Sequence, residues 1–304
     1  MTAIDFTGRV AIITGAGAGL GKQYAVELAK RGAKVVVNDL GGARDGAGKG
    51  SSSPADQVVQ EIEALGGEAA ANYDNVATVS GGENIVKTAI DHFGKVDILI
   101  NNAGILRDMT LVKMKAENWD AVMNVHLRGT YCVTRPAFIN MKQNGYGRIV
   151  NTGSVAGVLG NFGQANYGSA KMGIAGFTNV VKLEGAKYNI KVNMILPSAL
   201  TRLSEDVMPG DMFKNFKSEY VTPAVLYLCS QQCEDTGLYI NAFAGYYSRS
   251  NIVTGPGTTF SKMPTPEEIM EKWDSISSLD NALFHHDVNS MMMDALKAQI
   301  GKER

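Results

Sequence analysis

The amino-acid sequence predicts an α/β fold: a doubly wound parallel sheet with a C-terminal helical extension. Two observations carry that expectation. Short β-branched runs alternate with longer stretches of helical periodicity, the pattern of a parallel sheet covered by helices on both faces. A glycine-rich turn joins the first run to the first helix, and turns of that kind hold phosphate at a helix N-terminus.

The runs at 10–14, 34–39, 96–100, 148–151 and 191–196 are rich in Val and Ile without polar alternation. Such strands are buried on both faces. A further strand is expected before Asp74, so 96–100 is the fourth and 191–196 the sixth. Helices are expected over 21–31, 55–65, 82–93, 119–143 and 165–188, where apolar residues recur at helical spacing. Segment 41–53, GGARDGAGKGSSS, interrupts the pattern. Its composition fits a flexible linker or an ordered loop beside a cofactor.

After Tyr247 the alternation stops. Thr265-Pro266-Glu267-Glu268 has the cap, proline and acidic first turn of a helix start. Residues 287–300 read as a last amphipathic helix. Its Met291-Met292-Met293 run is adaptable apolar surface, suited to packing on the core or to lining a pocket. The expected division is a catalytic domain over 1–247 and an extension over 248–304, packing on that domain or near its substrate cleft.

Bulk properties narrow the function. The chain has 304 residues, 45% hydrophobic and 19% charged, with a net charge of −1 and no long Lys or Arg run. Neither nucleic acid nor an anionic membrane is expected as a partner. Cys132, Cys229 and Cys233 are scattered, so neither a disulfide framework nor a metal site is expected, and a reducing compartment suits them. No apolar stretch approaches the ~20 residues of a membrane span. The first seven residues lack a signal-peptide pattern, and the chain ends in Lys302-Glu303-Arg304 rather than Ser-Lys-Leu. A cytoplasmic setting is expected.

The first strand runs into Thr14-Gly15-Ala16-Gly17-Ala18-Gly19-Leu20-Gly21. Gly15, Gly19 and Gly21 allow a tight turn and close backbone approach, and the helix from Leu20 aims N–H groups at an anion. Asp39 ends the second strand, where a carboxylate accepts from both ribose hydroxyls of NAD and repels a 2′-phosphate. NAD is therefore expected over NADP, with Arg44 and Lys49 as the opposing signal. Asp74-Asn75-Val76 is placed to hold an adenine, and Asn101-Asn102-Ala103-Gly104 to let a cofactor pass closely. Ile195, just before Pro197-Ser198, is placed to offer backbone groups to a carboxamide.

The chemistry is expected at Tyr167-Gly168-Ser169-Ala170-Lys171 and Ser154. Residues four apart share a helix face. A free phenol titrates near pH ~10, and a neighbouring ammonium lowers that value. The spacing also fits a solvated helix face.

Taken together, the glycine-rich turn, Asn101–Gly104, Ser154 and Tyr167-x-x-x-Lys171 resemble the short-chain dehydrogenase/reductase family, over about residues 5–247. The resemblance implies a single Rossmann-type domain. It implies Tyr167 as acid/base, Lys171 lowering its pKa and binding the nicotinamide ribose, and Ser154 positioning the substrate oxygen. The stretches Asn38–Gly42, Gly48–Ser51, Ala103–Asp108, Val125–Gly129 and Gly160–Tyr167 are similar to the (3R)-hydroxyacyl-CoA dehydrogenase branch found in peroxisomal multifunctional enzymes of type 2 and in stand-alone bacterial proteins.

Two positions depart from the family pattern. His126 stands where most members carry an Asn in the proton relay. Pro197-Ser198 replaces Pro-Gly, which displaces the expected Thr to about Thr201. The apolar segment 199–217 is the expected substrate lid, and Arg107, Lys214 and Lys217 are available for CoA phosphates. The implied function is hydride transfer between NAD and the secondary alcohol of a 3-hydroxyacyl-CoA. A 17β-hydroxysteroid dehydrogenase and a catalytically idle NAD-binding protein are the alternatives. The long helices 119–143 and 165–188 pair across a two-fold in this family, so a homodimer or a tetramer of dimers is expected.

Overall fold

In the computed structural model, residues 3–43, 45, 46, 48, 50–199 and 215–300 are described, Ile300 by its backbone alone. Arg44, Lys49, Thr201, Lys214 and most of the expected lid therefore lie outside the described residues. The chain divides into two compact units, Met1–Arg249 and Ser250–Arg304.

The first unit alternates as expected: β1 (Val10–Thr14), α1 (Gly19–Lys30), β2 (Lys34–Asn38), α2 (Ser53–Ala64), β3 (Glu68–Asn72), α3 (Val79–Phe93) and β4 (Ile98–Asn101). Then come α4 (Ala116–Met123), α5 (Gly129–Asn144), β5 (Gly147–Thr152), α6 (Val155–Leu159), α7 (Ala165–Gly185), β6 (Ile190–Pro197), α8 (Thr222–Cys229), β7 (Tyr239–Phe243) and β8 (Tyr246–Ser250). The sheet order is β3-β2-β1-β4-β5-β6-β7-β8. Every neighbouring pair from β3 to β7 is parallel. The order reverses beside β1, so a crevice opens there at the carboxyl edge of the strands, where such sheets take ligands.

Alternate residues of each strand enter two cores. Ala11, Ile13, Val35, Val37, Ile98 and Ile100 pack with α1, α2 and α8 on one face. Val10, Ile12, Val36, Leu99, Ile149 and Val192 pack with α3 and α5 on the other. Burial on both faces is why these strands show no alternation.

Two features depart from the sequence reading. The expected helix over 119–143 is interrupted: a π-helical turn, Asn124–Arg128, joins α4 to α5. Single π turns of this sort gather at functional sites, and this one carries His126. Strands β7 and β8 had no sequence signal, because Tyr239–Phe243 and Tyr246–Ser250 mix polar with apolar residues. Between them Ala244 and Gly245 both have positive φ, 45° and 84°, the geometry of a tight hairpin turn.

The second unit holds α9 (Pro266–Glu271), α10 (Trp273–Ser277) and α11 (Val288–Ile300). A capping box starts α9: the Thr265 hydroxyl accepts from the Glu268 N–H, and Glu268 Oε2 accepts from the Thr265 N–H at 2.9 Å. Two of the orphan donors of the helix end are thereby satisfied. Thr254 and Leu283 exchange backbone hydrogen bonds in an antiparallel bridge. Among the described residues of the chain, no helix is long and apolar enough to cross a membrane.

Candidate active site

The crevice beside β1 is a cavity of about 440 Å³. Nine of the residues expected at a cofactor line it: Gly15, Gly19 and Leu20 from the first turn, Asp39, then Asp74, Asn75 and Val76, then Asn102 and Gly104. Gly21 lies behind this wall. A Cβ there would sit 2.3 Å from the Gly15 carbonyl oxygen, so its glycine serves the packing of turn against helix. Gly19 opens α1 with φ +55°, a conformation that favours glycine. No side chain caps this helix. Its N-terminal N–H groups and positive dipole end therefore open on the cavity, as a pyrophosphate requires. The donor set fits a dinucleotide.

Local hydrogen bonds hold the cradle. The Thr14 hydroxyl accepts from the N–H groups of Asn102 and Ala103, at 3.0 and 3.1 Å. The Asn102 amide donates to the carbonyls of Thr14 and Gly15, both at 3.0 Å. Asp39 bridges two loops, with Oδ2 accepting from Gly17 N at 2.8 Å and Oδ1 from Gly41 N at 2.7 Å. The Asn38 amide donates to Asn72 Oδ1 and to the Asp74 carbonyl, which places the turn before Asn75 and Val76.

Ile195 is placed differently from the sequence expectation. Strand β6 continues to Pro197, and Ile195 lies within the sheet between Thr152 and Ile240. Its carbonyl accepts from Gly153 N at 2.7 Å. The residues at the strand end are Pro197 and Ser198.

Ser154, Tyr167 and Lys171 come together at the ends of β5 and α7. Ser154 caps α6, its Oγ accepting from Ala156 N at 3.1 Å, and its side chain also hydrogen-bonds the Tyr167 phenol. Lys171 is 4% exposed. It donates to the Thr152 carbonyl at 2.6 Å, and its Nζ lies 5.5 Å from the Tyr167 ring centroid. Burial pushes the Tyr167 phenol up to about 12; the Ser154 hydrogen bond pulls it back, and Asp108 adds to the rise. Burial also lowers the Lys171 ammonium to about 7. The sequence reading has the ammonium dominating the phenol, whereas in the folded chain the dry surroundings dominate both. At neutral pH the phenol therefore keeps its proton, and the amine is close to losing one.

His126 is 2% exposed. Its ring stands edge-on to Tyr167, with centroids 5.2 Å apart at 90°. Nε2 meets the backbone of Ile105, 2.8 Å from the carbonyl oxygen and 3.1 Å from the nitrogen. Burial first, and then the Lys171 charge, push the imidazole down to about 3. The ring is therefore neutral across the physiological range and braces both Ile105 and Tyr167. A Cβ on Gly104 would lie 2.5 Å from His126 Cε1, so glycine there makes room for the ring.

Further residues face the cavity, some of them in a segment the sequence leaves open between a linker and a loop beside a cofactor. Gly42, Ala43 and Gly46 belong to the glycine-rich segment, and Ile105 follows Gly104. Arg107 donates through Nε to the Asp45 carbonyl at 2.7 Å. Within the described part of the lid, Phe216 stacks on Phe243 with centroids 5.6 Å apart.

The Lys171 shift has a thermodynamic consequence. The folded value, about 7, lies below the ordinary 10.5, so between them the unfolded chain binds a proton that the folded chain does not. Stability from this group is present at alkaline pH and is lost as pH falls through about 7. Relative to Lys171→Met, the wild-type unfolding free energy should rise from pH 7 to 10, by up to about 1.4 kcal/mol per pH unit. Urea denaturation of both proteins across that range checks this; parallel curves would refute it.

Comparison with known proteins establishes the family. The family model for short chain dehydrogenases matches residues 9–208. The Mycobacterium tuberculosis short-chain type dehydrogenase/reductase Rv0148 is 48% identical over 274 residues, covering 90% of this chain and 96% of its own. The peroxisomal multifunctional enzyme type 2 of Mus musculus is 48% identical over 282 residues, covering 92% of this chain and 38% of that longer protein. The solved structure of full-length peroxisomal multifunctional enzyme type 2 from Drosophila melanogaster superimposes with a TM-score of 0.82 at 38% identity, over 97% of this chain and half of that one. A family match over most of the sequence, joined to identity of this degree across a relative's full length, makes the chain a member of the short-chain dehydrogenase family of oxidoreductases.

Proposed function

We propose that the chain is an NAD-dependent dehydrogenase of secondary alcohols on bulky apolar substrates, a 3-hydroxyacyl-CoA before all others. The observation that carries this reading is the meeting of Ser154, Tyr167 and Lys171 beside an apolar rim. Leu111, Val112, Leu159 and Phe162 are 73–96% exposed. They sit on the loops that follow β4 and β5. The two loops are tied by the Met109 N–H, which donates to the Gly163 carbonyl at 2.8 Å, and by the Gln164 amide, which donates to Asp108 at 2.7 Å. Exposed apolar surface of this extent beside a polar site suits an acyl chain or a sterol. The similarity to multifunctional enzymes of type 2 favours the thioester, in a lipid-oxidation setting. Residues 1–247 are the catalytic domain in this reading, and 248–304 an extension to it.

When bound, a nicotinamide dinucleotide supplies the hydride acceptor or donor. Gly15, Gly19, Leu20 and Gly21 would hold its pyrophosphate, Asp39 a ribose, and Asp74, Asn75 and Val76 the adenine end. Ser154 hydrogen-bonds the substrate oxygen. The protonated Tyr167 donates to that oxygen when a carbonyl is reduced, and takes the proton back when an alcohol is oxidised. Lys171 in its charged form lowers the cost of the phenolate. His126 acts on backbone and ring position, and no proton is assigned to it.

Tyr167→Phe should lower turnover by roughly 10²–10⁴-fold while NADH binding persists. The assay follows NADH formation with short, long and sterol-bearing 3-hydroxyacyl-CoAs beside free 17β-hydroxysteroids. Turnover of free steroids alone would move the reading to a hydroxysteroid dehydrogenase. Binding of NADH with turnover of no alcohol would leave an idle binding protein.

Asp39 sets the NAD preference in this reading. Asp39→Ser should narrow the NAD-over-NADP ratio of kcat/KM by on the order of tenfold or more, the scale of one unfavourable charge contact removed. An unchanged ratio would place the discrimination elsewhere.

The chain is also proposed to form a homodimer, or a tetramer of dimers, through α5 and α7. Tyr131 and Ile139 on α5, and Met172, Val180 and Leu183 on α7, are exposed apolar residues. Sedimentation at micromolar concentration should show at least twice the 32.5 kDa chain mass; a monomer would contradict the interface.

A further inference from the structure

The glycine-rich segment after β2 is ordered at both ends and at its tip. At its root, one Asp39 oxygen takes the Gly41 N–H while the other holds Gly17. The two ends then touch: Ser51 N–H donates to the Leu40 carbonyl at 3.1 Å. A Cβ on Gly41 would fall 1.9 Å from the Ser51 carbonyl oxygen, and one on Gly50 2.0 Å from the Leu40 carbonyl oxygen. Gly41, Gly46, Gly48 and Gly50 all have φ between +70° and +87°, so the path is written into the glycine positions. Ends that meet in this way are those of an Ω-loop. At its tip the Gly46 N–H donates to the Ala43 carbonyl at 2.9 Å and closes a turn.

That tip reaches the opposite wall of the cleft. The half-buried Arg107, on the loop after β4, donates its Nε–H to the Asp45 carbonyl at 2.7 Å. A Cβ on Gly46 would lie 3.2 and 3.3 Å from two carbons of the Ile105 side chain. Gly42, Ala43 and Gly46 face the cavity between these walls. Both ends of the segment thus lie beside β2, and its tip lies against the β4 loop.

We infer that the described residues of this segment (41–43, 45, 46, 48, 50 and 51) form a strap across the dinucleotide cleft, pinned by Arg107, which makes Arg107 a positioning residue for the cofactor. The inference rests on the NAD reading above. A dinucleotide in this cavity leaves past the strap, so opening requires the guanidinium to release the Asp45 carbonyl. A bond from a charged donor is stronger than a neutral one, and release of bound product limits turnover in many enzymes that close over their ligands. The same contact commits Arg107 to the strap, where the sequence reading has it available for CoA phosphates.

The test measures NADH release by stopped-flow fluorescence, with excess NAD displacing NADH from the binary complex and no alcohol present. Arg107→Ala should raise the dissociation rate constant by about tenfold, the scale of one charge-assisted hydrogen bond. It should raise KM for NAD and leave KM for the alcohol unchanged, and Arg107→Lys should recover part of the loss. Replacing residues 42–50 by two glycines should give the same fast release with Arg107 intact, and adding Arg107→Ala to that variant should change nothing further. Release rates equal to wild type in Arg107→Ala and in the shortened variant would overturn the strap. So would a rise confined to KM for an acyl-CoA, which would return Arg107 to the substrate. A wild-type chain that takes up no NADH would instead overturn the cofactor reading itself.

Discussion

The site depends first on the clamp between Thr14 and Asn102. One hydroxyl accepts two backbone N–H groups from the β4 loop, and one amide donates to two carbonyls of the β1 loop. These bonds lie where the sheet order reverses, so no crossover connection holds the two strand ends together. The spacing between the glycine turn and Ala103-Gly104 is set by this clamp. Above it a Cβ on Gly15 would meet the Ala103 Cα at 2.7 Å, so the two loops pass at backbone contact. A parallel ladder continues along the same edge: Asn101 donates to Asn151, and Asn151 to Thr178 of α7. Polar side chains in a dry interior are tolerated only when paired. Their pairing carries position from the phosphate cradle toward the helix that bears Tyr167 and Lys171.

The second constraint is dryness. Lys171 is buried with a carbonyl, rather than a carboxylate, as its hydrogen-bond acceptor. A full charge there is costly, and the lowered ammonium value expresses that cost. His126 shares the environment and stays neutral beside it. A site of this kind holds its protons loosely at the amine and tightly at the phenol.

Much of this was legible in the sequence. The doubly wound sheet follows from Val- and Ile-rich runs without alternation, because strands covered on both faces need no polar side. The strand ends at Asp39 and Asn102 were legible because each follows an apolar run. The apolar run does not reveal that the Ile195 carbonyl is taken up within the sheet by Gly153 N. The π turn at Asn124–Arg128 was invisible, because a local change of helical register leaves the apolar spacing almost intact. The electrostatics were only half legible. Spacing places an ammonium near a phenol, but the burial that governs both arises from packing among α4, α7 and the β4 loop. The strap was half legible: its glycines were plain, yet the partner of its tip, Arg107, lies 62 residues further along.

The double grip of Asp39 carries a lesson for redesign. In the proposed reading Asp39 sets the cofactor selectivity, which invites exchange of that one side chain. Here the same carboxylate terminates two amides, one from the phosphate turn and one from the root of the neighbouring loop. Any residue installed to welcome a 2′-phosphate inherits both orphaned donors, and the loop would loosen along with the selectivity. A successful exchange would therefore be a paired edit, with one substitution to receive the new ligand and another to accept the Gly17 and Gly41 amides.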